Sequence, residues 1–377
     1  MRVFGAMLVD AYRELNSKRL FWVILGLSAF VTIVYGSIGF DDDGMSMFFG
    51  LVNIDNPMLS RDSLISSVLY RSIFTTFMIG LWLAWVATIL ALISTATIFP
   101  DFIAGGSIDM VLSKPVRRPT LFAMKYVVSL LFVLLQVTIF CLGVFLCMGL
   151  RLGDWEWKVF AAIPIVTVFF SYLYSISVLV GVWTRSALTA LLVTMLVWFS
   201  LFSVNMAEGV LYQERTKLVI RTEESDRLLD SLDQRLEALP NNDAAAPVRA
   251  RVEAEQETAL AQRTSVQDTI DQLDDWYRPI KWMQAVMPKT GETIGLLDRW
   301  LARDTDVNLM DIMAGTVEID ASTGDFETRD TSADRESLRR RLEEDAEKSL
   351  WYIVGTSLVF EAVLLLAAGL IFVRRDY

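Results

Sequence analysis

Residues 121–150 read LFAMKYVVSLLFVLLQVTIFCLGVFLCMGL, thirty positions with a single charge at Lys125. About 20 apolar residues in a helix suffice to cross a hydrocarbon core of roughly 30 Å. This stretch is therefore a membrane-crossing helix with length to spare for tilt. Both cysteines of the chain, Cys141 and Cys147, lie within it. Six residues apart on a helix, they are separated by about 9 Å along the axis and face different ways. A disulfide between them is excluded, so they read as small packing residues and carry no information about redox compartment.

The same pattern recurs along the chain. Of the 377 residues, 54% are hydrophobic and the mean hydropathy is +0.43, above what a soluble domain carries. Apolar blocks run from about Leu20 to Phe40, Ser72 to Phe99, Leu121 to Leu150, Val159 to Trp183, Ala187 to Asn205, and Leu350 to Val373. Asp41, Asp42 and Asp43 stop the first, Pro100-Asp101 the second, and Pro119 opens the third. Residues 20–206 thus hold five spans and 350–377 a sixth with a short tail. Ahead of them, residues 1–19 form an amphipathic helix. Val3, Phe4, Met7, Leu8, Ala11 and Leu15 recur at three- and four-residue steps, while Asp10, Arg13, Glu14 and Lys18 fall elsewhere on the wheel. Such a helix suits the membrane interface; the alternative is a surface helix packed on protein. It does not have the apolar core and small-residue cleavage site of a secretory signal. The expected fold is an all-α membrane protein of six transmembrane helices.

Lys and Arg near span ends set the orientation. With the N-terminus inside, the inner segments hold Arg2, Arg13, Lys18, Arg19, Lys114, Arg117, Arg118, Lys125, Arg185, Arg374 and Arg375. The short outer loops hold only Arg61, Arg71, Arg151 and Lys158. Both termini are therefore expected in the cytoplasm, and the segment 207–349 outside by parity of spans. That segment carries 32 acidic and 19 basic residues, which accounts for the net charge of −11. Its stretch 211–276 reads as an antiparallel helical hairpin. Leu218, Leu228, Leu229, Leu232, Leu236 and Leu239 make one stripe, Pro240-Asn241-Asn242-Asp243 a turn, and Val248, Val252, Leu260, Val266, Ile270 and Leu273 a second stripe. It serves either as a self-packed stalk or as a docking arm for an extracytoplasmic protein or a dimer mate. Tyr277 to Leu301 is amphipathic and aromatic, fitting either the outer membrane face over the exit of a path or a small packed domain. Residues 316–328 alternate enough for a small β-hairpin. The helix opened by Thr331 and Asp334 is expected to lead into the sixth span.

The segment 100–119 has an unusual make-up. Within DFIAGGSIDMVLSKPVRRPTLFAMK (101–125), Gly105-Gly106 breaks the preceding helix, Ser107 can cap a short helix over Ile108 to Ser113, and Pro115 ends it. Ile108, Met110, Val111 and Leu112 make that short helix apolar for a loop, pointing either to a partner or to burial against the bundle. The stretch resembles the cytoplasmic loop of ABC-2 type permeases: an acidic residue, a Gly-rich break, a short helix ending near Lys-Pro, basic residues, and a lysine opening the next span. The amphipathic N-terminal helix resembles that family's elbow helix, and Phe372-Val373-Arg374-Arg375-Asp376-Tyr377 its usual ending.

The resemblance covers residues 1–205 and 350–377. It implies that two permease subunits pair, as a homodimer or heterodimer, and that separate ABC ATPase subunits dock from the cytoplasm. It further implies that the short helix seats in a groove of the ATPase and transmits its closure to the spans. The coupling residues would be Ile108, Asp109, Met110, Val111 and Leu112, flanked by Lys114 and Arg117, with Arg185 in the turn Trp183-Thr184-Arg185-Ser186 as a second contact. The expected location is the bacterial cytoplasmic (inner) membrane, in contact with its lipids. The hairpin insert is not part of the family pattern and leaves the cargo open.

The chain contains no G-x-x-x-x-G-K-[ST] phosphate loop and no histidine, which removes the commonest general base and metal ligand. No catalytic residue, cofactor or metal site is expected, and no nucleic-acid partner. Glu361, the one carboxylate inside a span, either bonds between helices or lines a path. The leading function is an exporter permease powered by another chain, moving a cargo that long apolar spans would suit if it were lipid-like or amphiphilic. The alternatives are a non-transporting scaffold that presents the hairpin, and a secondary transporter, which would favour inverted repeats and broken helices.

Overall fold

The computed structural model describes residues 19–41, 44–55, 70, 73–104, 117–151, 153, 155–240, 243, 245–301, 317–319, 326–328 and 332–374. The elbow segment, the Gly-Gly loop and the turn at 241–242 lie outside them. Six helices are long and apolar enough to cross a membrane: Arg19–Gly36, Phe77–Ile103, Arg118–Arg151, Trp157–Thr184, Ala187–Ala238 and Leu350–Arg374. The chain is an all-α multi-span membrane protein. Two small antiparallel sheets accompany the helices. One is a meander of Gly39–Asp41, Gly44–Met47 and Val52–Asp55; the other pairs Val317–Ile319 with Phe326–Thr328.

Two compact units divide the chain. The first comprises residues 1–200, 288–329 and 350–377, the second 201–287 and 330–349. Within the first, the fourth span is the central helix. It is buried over 78% of its apolar window, against 22% for the fifth and sixth, and the first, third and sixth spans pack around it or on one another. Phe132, Phe140, Cys141, Val144, Phe170, Leu173 and Val182 fill this core. The outward faces stay apolar. Leu188, Leu192, Leu196 and Phe199 of the fifth span recur every three or four residues and are each more than half exposed, as a lipid or subunit face requires.

Several boundaries differ from the sequence reading. The second span does not stop at Pro100. A turn at Ala96-Thr97 is followed by a new helical segment, Ile98–Ala104, and Pro100 lies in its first turn, where a missing N–H does no harm. Over Phe74–Ala87 this span is wound with i→i+5 hydrogen bonds, a rare backbone state. The first span ends at Gly36 because Gly39–Asp41 leaves as a strand.

The fifth span and the following arm form one helix of 52 residues, Ala187–Ala238. Its only breaker near the expected end, Gly209, is held by Arg341, whose Nη1 donates to the Gly209 carbonyl at 3.0 Å and lies 3.1 Å from where a Cβ would stand. A side chain at 209 would push this guanidinium away. The helix after Thr331 ends at Glu347, and a two-residue break precedes Leu350.

In the second unit, Ala187–Ala238 and Ala246–Val286 run antiparallel. Arg215 pairs with Asp274 at 2.6 Å, Asp226 with Arg263, and Gln256 donates to Asp233 at 2.6 Å. Steps of eleven and then seven residues along one arm match equal steps back along the other, so the pairing register is constant along the arms. Leu229 and Leu232 on one arm and Val252, Ala259 and Ile270 on the other are buried, and this register sets Ala259 opposite the stretch 229–232. Leu228 and Leu260 are 46% and 45% exposed; the register set by Val252 and Ile270 brings Ala259, not Leu260, inward. At the base of this hairpin, Arg341 lies over the Tyr212 ring at 5.2 Å and bonds Glu208 at 3.2 Å, and Arg215 lies over Tyr277 at 5.7 Å. Burial, with Glu208 and Glu344 adding to it, pushes the Tyr277 hydroxyl up to about 12.

Candidate functional site

The ends of four spans meet at one place in the first unit. Phe99 and Phe102 close the second span, Phe122 opens the third, and Phe372 closes the sixth. Their rings lie 5.2 Å (Phe99–Phe122), 5.8 Å (Phe122–Phe372) and 6.3 Å (Phe102–Phe372) apart. Pro100 packs 3.4 Å from the Cβ position of Gly181, at the end of the fourth span. Lys125 Nζ stands 5.3 Å over the Phe102 ring, and Arg118 donates to the Val373 carbonyl at 3.4 Å. An apolar aromatic plug is thus flanked by two cations of the third span. The segment 105–116 leaves the bundle here and returns here.

Of the coupling residues read from the sequence, Ile108, Asp109, Met110, Val111, Leu112 and Lys114 lie outside the described residues. Arg117 is exposed and immediately precedes the third helix, with its carbonyl accepting from the Thr120 and Leu121 N–H groups at 3.0 and 3.2 Å. Arg185 is exposed at the end of the fourth span with φ of 56°. Its N–H donates to the Gly181 carbonyl at 2.9 Å, the left-handed closure that ends many helices. The Thr189 N–H donates to Ser186 Oγ at 3.3 Å, which opens the next helix at once. Two residues therefore reverse the chain between the fourth and fifth spans, and they do so at the same end of the bundle as Arg117.

Glu361 sits deeper, 7% exposed. The Tyr126 hydroxyl donates to its Oε1 at 2.6 Å and the Ser171 hydroxyl to its Oε2 at 2.7 Å. Tyr126 stacks on Tyr174, with centroids 5.4 Å apart, and the Tyr174 hydroxyl donates to Ser129 at 2.8 Å. The third, fourth and sixth spans are therefore tied by one polar chain. Its members beyond Glu361 escaped the sequence reading. The available signal was spacing: Tyr126 with Ser129, and Ser171 with Tyr174, are hydroxyl pairs three residues apart in otherwise apolar helices, where interhelical hydrogen bonds are sought.

A second polar group was also missed. Thr290–Leu301 packs against the fourth span, with Leu296 and Leu297 buried. Pro279 falls inside the helix Ala246–Val286 that precedes it. The Lys289 N–H donates to Ser357 Oγ at 2.9 Å. Its ammonium, nearly enclosed, stands 4.2 Å over the Tyr352 ring and 3.9 Å from Glu292. The buried Tyr172 hydroxyl adjoins Thr293 and Ser357. This arrangement ties the intervening segment to the sixth span through the Ser357 hydroxyl and the Tyr352 ring. Among the described residues, no three of His, Cys, Asp and Glu gather as a metal site would need.

Comparison with known proteins agrees with this architecture. A family profile described as ABC-2 family transporter protein matches residues 11–376. No curated protein and no solved structure gives a significant match. Proteins of the matched description are membrane components of ABC transporters, which work with an ABC ATPase and assemble as dimers.

Proposed function

The chain belongs to the ABC-2 family of transporter proteins, and on that premise we propose that it is the permease subunit of an exporter whose ATP is hydrolysed by a separate cytoplasmic subunit. Both termini then face the cytoplasm of a bacterial inner membrane, and the helical hairpin faces outward. The observation that carries the reading is the meeting of Arg117, Arg118, Arg185 and Arg374 at the end of the bundle where the segment 105–116 departs. Basic residues concentrate on the cytoplasmic side of membrane proteins. The aromatic plug of Phe99, Phe102, Phe122 and Phe372 gives a load applied there a route into three spans at once, and Pro100 against Gly181 adds the fourth. Ile108 to Leu112 supply the apolar contact to the ATPase, Lys114 and Arg117 flank it, and Arg185 is the second contact. The cargo that fits is amphiphilic. Within the described spans the core is apolar apart from hydroxyls, one glutamine and Glu361, which suits a lipid-like molecule better than a small ion.

Two measurements test this. Copurification of an ATPase with the chain should be lost when Ile108, Met110 and Leu112 are all changed to Asp; undiminished recovery of the complex overturns the coupling assignment. In a background without Cys141 and Cys147, Asp243→Cys should react with a membrane-impermeant maleimide once the outer barrier is permeabilised. Protection until the inner membrane is broken reverses the orientation.

A further inference from the structure

A small void lies at the middle of the bundle in the first unit, among the first four spans. Its volume is about 20 Å³, and Ser28, Leu83, Thr88, Gln136, Val137 and Val166 are among its walls. Ser28 is the tenth of 18 residues in the first span, Thr88 the twelfth of 27 in the second, and Gln136 the nineteenth of 34 in the third. All three polar groups thus stand near the centre of their helices, where neither bulk water nor lipid headgroups reach. Gln136 is 8% exposed, and its Nε2 is buried with no hydrogen-bond partner. A buried amide left without a partner costs about 1–3 kcal/mol, and buried polar groups are nearly always satisfied by protein or by ordered water.

The void is large enough for one water, which needs roughly 10–15 Å³ of this measure and two to four polar partners. Gln136 Nε2 offers donors. The Thr88 hydroxyl gives its proton to the Leu83 carbonyl at 2.8 Å, leaving its oxygen as an acceptor. The Ser28 hydroxyl can serve in either sense.

The location adds a second reason. The i→i+5 winding of the second span covers Phe74–Ala87 and reverts to an ordinary α-helix at Thr88, and Leu83, Ala87, Thr88 and Ala91 from that junction line the void. A change of winding disturbs the orderly stacking of backbone groups, and such interruptions are where waters enter helices.

We propose that this void is a binding site for a single water molecule, held by Gln136, Thr88 and Ser28, which ties the first three spans together where the second changes its winding. The inference concerns the bundle alone and does not depend on the transport reading. The test is hydroxyl-radical labelling by short X-ray pulses on the full chain in lipid nanodiscs, read by peptide mass spectrometry. A bound water makes radicals in place and marks the side chains around it. Oxidation at Val133 and Val137 should exceed that at Val144, the same side chain, also buried but away from the void. Gln136→Leu should lower it several-fold, and Ser28→Ala, a milder change, should lower it by a smaller factor. Labelling at Val133 and Val137 no higher than at Val144 would mean a dry void and overturn the proposal, as would labelling that neither substitution reduces.

Discussion

The tie between Tyr126, Ser171 and Glu361 can be weighed by a double-mutant cycle. Tyr126→Phe removes the 2.6 Å hydrogen bond to Glu361 Oε1 and retains the ring that stacks on Tyr174. Glu361→Leu removes both carboxyl contacts in a side chain of similar length. Hydrogen bonds between membrane helices contribute about 0.6 kcal/mol on average and up to about 1.7. This one is short, fully enclosed and made to a carboxyl group, so a value in the upper half of that range is expected, about 1–1.5 kcal/mol. Glu361→Leu should cost more by itself, since it also leaves the Ser171 hydroxyl without its 2.7 Å carboxyl partner. The double variant should then be less destabilised than the two single effects added, and the difference is the coupling energy.

Reversible unfolding of the chain in lipid–detergent bicelles, followed by tryptophan fluorescence, gives the four stabilities the cycle needs. Independent sites add to within about 0.3–0.5 kcal/mol. A coupling below that margin would refute the tie and return Glu361 to the path-lining role. Glu361→Gln sharpens the distinction. It keeps an oxygen for Tyr126, so a structural tie should survive it with little loss of stability and of transport together. A path-lining carboxyl would lose transport while stability held.

Two further substitutions probe other parts of the molecule. Gly149→Ala would place a Cβ 2.6 Å from the Trp155 ring, which must then leave its packing with Phe145 at 5.1 Å. A loss of about 1–3 kcal/mol, as for other overpacked cores, should appear in the same unfolding assay and shrink when Trp155 is also changed to Ala. In the second unit, Arg340 makes a two-pronged contact with Glu223 at 2.9 and 2.8 Å and holds its carboxyl below the ordinary value. A depressed carboxyl stabilises the fold above about pH 4.3, its ordinary pKa, and this contribution disappears as pH falls through the lower folded value. With both side chains a third or more exposed, the effect should stay below about 1 kcal/mol. Amide exchange of residues near Glu223 at pH 7 should quicken modestly in Arg340→Met, and the difference between the two proteins should shrink as the pH is lowered below the ordinary carboxyl value.

What the sequence made legible follows from how strongly each feature is dictated locally. A run such as 121–150 has one low-energy state in a bilayer, because every backbone group must bond within the helix. All six spans were therefore readable to within a few residues at most ends. The ends that moved are those where a neighbour decides. Pro100 reads as a stop until a turn at Ala96-Thr97 restarts the helix just ahead of it. The fifth span reads as ending at Asn205 and the hairpin as starting at 211, whereas one helix runs through both, with Arg341 coming from 132 residues away to bond the Gly209 carbonyl. The heptad stripe announced a hairpin, but only the facing arm decides whether Ala259 or Leu260 turns inward. The packing partners of Thr290–Leu301 were not legible for a related reason. Its aromatic flanks fit a membrane surface as well as a protein one, and the Lys289, Ser357 and Tyr352 contacts that bury it join residues more than sixty positions apart. Of the candidate site, Arg117 and Arg185 were singled out by the resemblance to ABC-2 permeases, and Glu361 by its rarity. Tyr126, Ser171 and Gln136 were not, because a hydroxyl or amide in a span signals nothing until its partner is known.

The distribution of polar groups argues for how such a bundle could move. Near the end that bears Arg117 and Arg185, the spans meet through aromatic rings at 5–6 Å, contacts that transmit a push but set no directional bond. In the middle, Glu361 with Tyr126 and Ser171, and Tyr174 with Ser129, impose distances of 2.6–2.8 Å across the third, fourth and sixth spans. The i→i+5 stretch of the second span is wound more widely than the α-helix that follows it, and Trp85 meets Trp198 of the fifth span by stacking at 4.8 Å. The third, fourth and sixth spans thus form a bonded frame. A load entering through the segment that joins the second and third spans would meet that frame on the third-span side and a change of winding on the second-span side, so displacement would concentrate where the second span changes its winding.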